Sequence, residues 1–451
     1  MTTQTLTTGP PEDTGELALP PALPRLLAGV AEEGPMTLEE HVAVHGALPW
    51  GADHRARPRG RHTEPPLIEQ VGRAGLGGRG GAGFPTATKL RAVLSSSGRA
   101  IVVVNVAEGE PASRKDRTLL QAAPHLALDG AELAAEAVAA EEIIIGVCES
   151  AHGCLQAIAT AIEERRQLPE TPARIQVRAV PGHYVAGQES ALANHLNGGL
   201  ATPTFTPPLP FQRGVRRRPT LVSNPETLAH VALIARHGPG WFRQLGTASQ
   251  AGSALVTLSG PVARPGVYEI EYGVPLSSLI EAAGGTTARV RALLVGGYGG
   301  TWIGGELLAG IRLSDEHLAC HNGGFGAGVV LLLSDEACPI GETARAARWL
   351  ADQSARQCGP CVHGLDTLAT TVADIANGVA QPHGGERISQ LAALVRRRGA
   401  CGHPDGAGNF VLSAIETFAA EFTDHARGGP CDACARPGEL PLPSRRATVS
   451  G

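Results

Sequence analysis

Six glycines fall within nine residues of Gly75-Leu76-Gly77-Gly78-Arg79-Gly80-Gly81-Ala82-Gly83-Phe84-Pro85-Thr86. So dense a run lets the backbone approach a ligand closely and turn several N–H groups toward a phosphate. Lys89 follows within reach of the same anion. A flexible linker can also be glycine-rich, so the loop gains meaning from three other stretches. Val104-Asn105-Val106-Ala107-Glu108-Gly109-Glu110-Pro111 leads into Ala112-Ser113-Arg114-Lys115-Asp116-Arg117 directly after a β-branched run. Its amide and carboxylate groups therefore sit at the carboxyl end of a strand, where open α/β sheets bind ligands. The plain alternative is a solvated charged turn. His183-Tyr184-Val185-Ala186-Gly187-Gln188-Glu189-Ser190 is a glycine turn before a helix, and Leu221-Val222-Ser223-Asn224-Pro225-Glu226 is a second strand-to-helix passage. The fourth signal is a crowd of cysteines near the end of the chain: Cys358, Cys361, Cys401, Cys431 and Cys434. That clustering favours a metal or cluster site over a disulfide framework. Cys148, Cys154, Cys320 and Cys338 lie apart and read as small structural thiols.

Lys89 and Lys115 are the only lysines among 38 basic residues. A base-composition bias would explain arginine elsewhere, yet both lysines lie within the motifs above, where an ammonium and a guanidinium are not interchangeable. The net charge of −5 and the short scattered arginine clusters speak against nucleic acid as a partner. No apolar run reaches the roughly 18 residues of a spanning helix, and residues 1–20 lack the features of a secretory signal. A cytoplasmic location is expected, with membrane proximity only through partners.

The elements that must position these residues follow from the pattern. Residues 1–62 form a Pro/Gly-punctuated flexible extension with one short helix near Leu38–Val44. From 63 to 245, strand-like runs at Ile101–Val104, Ile143–Val147 and Arg174–Val180 alternate with alanine-rich helical stretches, the mark of an α/β domain with a largely parallel sheet. Residues 250–330 read as a small α+β module, 335–428 as a helical bundle broken by cysteine loops, and 429–451 as a tail. A chain of 451 residues is long enough for this number of domains.

In this order, over about residues 65–425, the stretches resemble the flavoprotein NADH-binding subunit of complex I and the similar diaphorase subunits of NAD-linked hydrogenases and formate dehydrogenases. The resemblance implies a Rossmann-like flavin/NADH domain, a β-grasp (SLBB-like) domain and a C-terminal helical iron–sulfur bundle. It implies FMN, NAD and a [4Fe–4S] cluster as cofactors. Gly78, Arg79, Gly80, Gly81, Gly83, Phe84 and Lys89 would serve FMN phosphate and NADH, with Phe84 stacking on adenine. Asn105 and Glu108 would contact isoalloxazine and nicotinamide; Tyr184, Gly187, Glu189, Ser223 and Asn224 would complete the pocket, Glu108 and Glu189 orienting the nicotinamide. Cys358, Cys361 and Cys401 would hold the cluster. Hydride transfer needs no general-base triad, because the flavin carries it. A partner iron–sulfur subunit of a larger complex would receive the electrons.

The chain also departs from that family. Ala355 occupies the first cluster-ligand position, leaving three cysteines where such clusters ordinarily take four thiolates. His363, Cys431 or Cys434 could substitute, the cluster could be three-iron or lost, or the Cys431/Cys434 pair could bind zinc with ligands from outside the pair. Ala87 replaces a glycine, Ala107 an aspartate, Gln188 the first of paired glutamates, Ser223 an asparagine, and Leu90-Arg91 an aromatic-bearing segment. Two lost carboxylates weaken rejection of a 2′-phosphate, so discrimination against NADPH is expected to relax. The readings are an NADH dehydrogenase subunit, an electron-transfer subunit with another donor (ferredoxin or NADPH), and a non-catalytic scaffold; the retained glycine loop, Lys89, Glu108 and Glu189 favour the first.

Overall fold

Ile101-Val102-Val103-Val104 and Ile143-Ile144-Ile145 are apolar at every position, which suits strands covered on both faces. In the computed structural model, which describes residues 23–30, 34–48, 64–166, 173–379 and 383–443, these runs are β1 (Ile101–Val106) and β2 (Glu142–Cys148), buried almost throughout. They lie at the centre of a four-stranded parallel sheet of order β3-β2-β1-β4. β3 (Arg174–Val180) is one edge and exposes Arg174 and Arg178, while β4 (Thr220–Ser223) is the other.

The longer helices described up to this point are α1 (Leu38–His45), α2 (Pro66–Ala74), α3 (Thr86–Ser95), α4 (Lys115–Ala122), α5 (Pro124–Ala137), α6 (His152–Arg165), α7 (Glu189–Leu196) and α8 (Pro225–Phe242, broken at Gly238). α5 is buried on nearly every face, His125, Asp129 and Glu132 included, and these polar groups are paired with Glu164 and Arg165. It crosses α8 in backbone contact: a Cβ on Gly130 would lie 1.8 Å from the Leu228 carbonyl oxygen.

The middle domain is a five-stranded mixed sheet of order β6-β5-β9-β7-β8. Its strands are β5 (Ser253–Ser259), β6 (Gly266–Glu271), β7 (Val290–Val295), β8 (Thr301–Gly304) and β9 (Val329–Ser334), with α9 (Leu276–Ala282) after β6. β9 runs parallel to β5 and antiparallel to β7, so this sheet reaches past residue 330, the boundary expected for the module. The last part holds α10 (Pro339–Asp352), α11 (Leu365–Ala376), α12 (Gly384–Val395), α13 (His403–Thr417) and α14 (Ala419–Gly428). Trp302 of β8 packs its ring against Phe410 and Phe418, which joins the middle sheet to the bundle.

Two segments expected to be loose are packed instead. Residues 23–30 and 34–48 insert Leu26, which is 0% exposed, together with Leu27, Met36, His41 and His45. The Glu269 carboxylate accepts the N–H groups of Arg25 and Leu26 at 2.7 and 2.9 Å, and Asp129 accepts from His41 at 2.8 Å and from Arg165 at 2.6 Å. These anchors are polar, which is why hydropathy does not announce them. At the other end, Leu440 is buried and the Glu342 carboxylate accepts the N–H groups of Glu439 and Leu440. The reading of residues 1–20 as lacking a signal, and the end of the tail from 444, lie outside the described residues.

Candidate functional site

The glycine loop is a closed turn. Gly78 N–H donates to the Phe84 carbonyl and Thr86 N–H to that of Leu76, while residues 80–85 between them are exposed. Gly81 and Gly83 adopt positive φ of 105° and 62°, conformations that favour glycine. Among the described residues, no acceptor meets the N–H groups of residues 80–83. A run of free, exposed N–H groups leading into the first turn of α3 is an anion cradle. One turn into α3, Lys89 forms an ion pair with Glu189 and donates to the Val222 carbonyl at 3.0 Å. Phe84 stands 51% exposed at the lip of the loop.

The turns after β1 and before α7 are clasped together. Asn105 Nδ2 donates to the Gly187 carbonyl at 2.7 Å, while its Oδ1 accepts the Ala107 N–H at 3.2 Å. A Cβ on Gly187 would lie 2.4 Å from the Ala107 carbonyl oxygen, so only glycine permits the approach. The structure thus brings Lys89, Asn105, Gly187, Glu189 and the loop to one end of the sheet. Ser223 closes β4 beside them, in register with Val104.

Three expected contacts are occupied in other ways. The Arg79 guanidinium turns under the loop, donating to the carbonyls of Gly77 and Ser253 and lying 4.7 Å over the Tyr272 ring. It anchors the loop to the middle domain, and its backbone N–H is taken by Thr227. The Glu108 carboxylate, expected to orient nicotinamide, accepts from the Ser113 hydroxyl and from the N–H groups of Asp116 and Arg117 in the first turn of α4. Burial, then Asp116 nearby, raises its pKa. Asn224 caps α8 through the Glu226 N–H and donates to Asp116 at 2.6 Å.

Beneath the loop is a charged network that the motifs only hinted at. Lys115 is buried and pairs with Asp116 at 2.7 Å and with Glu226 at 2.8 Å. Burial opposes its charge, but the two carboxylates outweigh that and hold its pKa above the ordinary value. Lys115 and Glu226 also line a cavity of about 510 Å³ between the loop and the middle domain, with Gln250, Tyr272, Asp315, Glu316 and Phe325 on the far wall. Its near wall carries Gly78, Arg79, Gly81 and Gly83 of the loop, so cations and loop glycines face these carboxylates across it. Lys89 is not part of that wall; it lies toward Glu189 and the end of β4.

Tyr184 connects this end of the sheet to the bundle. Its ring lies 5.3 Å from those of Trp349 and His403, its N–H donates to Gln353, and its hydroxyl to Glu110. Glu110 also accepts the N–H groups of Tyr298 and Ala112, and burial pushes its pKa up to about 7. In the bundle, Cys358 and Cys361 lie on the turn before α11 and Cys401 precedes α13. Burial, then the neighbouring Cys358, pushes the Cys361 thiol up to about 12. Cys401 also lies close enough to raise the Cys361 thiol, and with alanine at 355 these residues supply three of the four thiolates that a [4Fe–4S] cluster ordinarily takes. His363 is exposed and lines a groove of about 360 Å³ with Leu391, Leu394 and Arg398. Cys431 and Cys434 meet Cys338 and His425 instead, so Cys338 is not the isolated structural thiol its surroundings suggested. No spacing rule would have joined Cys338 to a pair over ninety residues away.

Comparison with known proteins agrees with this architecture. Residues 71–233 match the model of the Nuo51 FMN-binding domain, 255–302 the SLBB domain, and 342–425 the NADH-ubiquinone oxidoreductase-F iron–sulfur binding region. The chain is 30% identical to the second NADH-quinone oxidoreductase F subunit of Rhizobium meliloti, covering 84% of this chain and 94% of that one. It is 27% identical to NADP-reducing hydrogenase subunit HndC of Solidesulfovibrio fructosivorans, over 82% of this chain and 78% of that one. A chain of the crystal structure of an NAD+-reducing [NiFe]-hydrogenase in the H2-reduced state superposes with a TM-score of 0.76 at 33% identity, covering 82% of this chain but 64% of the hydrogenase chain. No helix among the described residues is long and apolar enough to cross a membrane. With a 30% identical relative matched over 84% of the chain, and family models over both its flavin and iron–sulfur regions, the chain belongs to the family of NADH-quinone oxidoreductase F subunits.

Proposed function

We propose that this chain is the flavoprotein subunit of an NADH dehydrogenase, oxidising NADH through FMN and passing electrons to an iron–sulfur centre and a partner iron–sulfur protein of a larger complex. The observation that carries the reading is the exposed row of unpaired N–H groups at residues 80–83 beside Lys89, at the carboxyl ends of β1 and β4. Bound FMN supplies the chemistry, accepting a hydride and releasing electrons one at a time. The chain's residues bind and orient. Gly78, Gly80, Gly81 and Gly83 let the backbone approach a phosphate, and Lys89 adds a charge held in place by Glu189 and the Val222 carbonyl. Asn105 and Gly187 fix the distance between the two turns that floor the cleft. Phe84 offers an exposed ring for stacking a base. Tyr184 ties this floor to the bundle that carries Cys358, Cys361 and Cys401.

Anaerobic purification, an absorbance spectrum and addition of NADH test the proposal. Flavin bands that bleach with NADH are expected, and Lys89→Met should weaken flavin or nucleotide retention about tenfold, the scale of one charge-assisted hydrogen bond. Protein that folds without flavin would overturn the reading. Flavin that neither nicotinamide bleaches would instead favour an electron-transfer subunit with a different donor.

A further inference from the structure

The end of the described chain carries four side chains that the proposed redox path does not use. Cys338 is the N-cap residue of α10, His425 lies in the last turn of α14, and Cys431-Asp432-Ala433-Cys434 forms a tight turn just beyond it. Their ligand atoms all lie within 4.8 Å of one another. The Cys434 sulfur is 3.3 Å from that of Cys338 and 3.8 Å from that of Cys431, and His425 Nε2 is 3.4 Å from both Cys338 and Cys434. We propose that Cys338, His425, Cys431 and Cys434 bind a structural zinc ion that fastens the C-terminal segment onto the bundle.

The distances argue for one ion. Zinc–sulfur bonds of about 2.3 Å and a zinc–nitrogen bond of about 2.0 Å set tetrahedral ligand atoms roughly 3.5–3.8 Å apart. The observed separations bracket that edge length, whereas a cube of four irons would hold its sulfurs farther apart. The thiols are not bonded to one another. The histidine is oriented for metal binding. Its Nδ1 lies 2.9 Å from the Glu421 carbonyl, which can only accept, so Nδ1 carries the proton and Nε2 turns a lone pair to the sulfurs. Three thiolates and an imidazole are a soft, closed donor set that suits zinc and leaves no position for substrate.

This site is separate from the three cluster cysteines. Cys338, Cys431 and Cys434 all fall outside residues 342–425, the part that matches the family's iron–sulfur region. The ion would join the start of α10 to the chain after α14, and the segment beyond continues the attachment through Glu439 on Ser334 and the buried Leu440. Cys338 and His425 are buried and Cys431 is exposed, so loading requires only that the 431–434 turn swing outward.

Full-length protein prepared anaerobically, without a histidine tag or chelator, would be assayed for metals by mass spectrometry. About one zinc per chain is expected, and growth with cobalt should give the intense visible bands of a tetrahedral thiolate site. In the double variant Cys431→Ser/Cys434→Ser, zinc should fall at least tenfold while iron and flavin contents stay unchanged, and trypsin should cut faster after Arg427, the exposed arginine that precedes the turn. Wild-type protein with no zinc, zinc retained by the double variant, or iron lost in place of zinc would each overturn the proposal. The wild-type count and cobalt spectrum decide the matter even if the variant folds poorly.

Discussion

Gln188 stands where the resemblance leads one to expect the first of two glutamates, and its side chain does a definite job. Its Oε1 accepts the N–H groups of Ser190 and Ala191 at 2.8 and 2.9 Å, capping α7 beside Glu189. A glutamate can make the same cap and favours a helix N-terminus, so Gln188→Glu should fold normally. It would also return a carboxylate to the cleft, where a 2′-phosphate is repelled. The ratio of kcat/KM for NADH over NADPH should rise about tenfold, roughly 1.4 kcal/mol of discrimination; an unchanged ratio would show that position 188 does not face the dinucleotide. Gly187 is stricter. Adding a methyl group forces the 105–110 turn away from the 183–189 turn, because the clash is with the Ala107 backbone. Gly187→Ala should lose most bound flavin while keeping its zinc, a comparison that separates a local fault from general unfolding.

Among the elements, the α5–α8 crossing is the tightest. The Cβ of an alanine at 130 would penetrate the Leu228 carbonyl, and neither helix can move without opening the layer over β1. Gly130→Ala should cost roughly 3 kcal/mol, seen as a lower thermal midpoint with flavin lost in the same transition. α1 responds to acid instead. Burial, then the neighbouring cations, depresses the folded pKa of both His45 and His125 to about 4. Groups with depressed pKa values stabilise fully above the unfolded value near 6.5, and that stability is lost as pH falls toward about 4. Hydrogen exchange corrected for intrinsic rates should show residues 34–48 opening between those values ahead of the sheet; simultaneous loss would argue against the histidines. These elements also show what the sequence could convey. β1 and β2 were legible because strands covered on both faces must be apolar throughout, and the glycine loop because an anion cradle needs glycine in place. α1 itself was readable, but its docking was not, since Asp129, Arg165 and Arg236 hold it with charges that look like surface residues. Cys338 was misread for a related reason: its partners arrive through the tertiary fold, and the sequence shows only a lone thiol beside an apolar run.

Over the whole molecule, Glu110 is where the three domains meet. Its carboxylate accepts from Tyr298 of the middle domain and from Tyr184, whose ring rests on Trp349 and His403 of the bundle. Burial is the chief reason its pKa rises to about 7 from an ordinary 4.5; the hydrogen bonds from Tyr298 and Ala112 only partly counter it. A raised folded pKa means that the native state holds a proton the unfolded chain releases. Stability from this group is therefore complete below about 4.5 and declines as pH rises through about 7, by an amount on the order of 2–3 kcal/mol. Glu110→Gln removes the titration but cannot accept at both oxygens, so at pH 5 it should be less stable by about 1 kcal/mol. By pH 8 the order should reverse. Denaturation of wild-type and variant protein across pH 5–8 would show two curves that cross, whereas parallel curves would mean that Glu110 stays ionised at the domain junction throughout. Because the same residue contacts Tyr184, the crossing should be accompanied by a pH-dependent change in the fluorescence of Trp349 that the variant lacks.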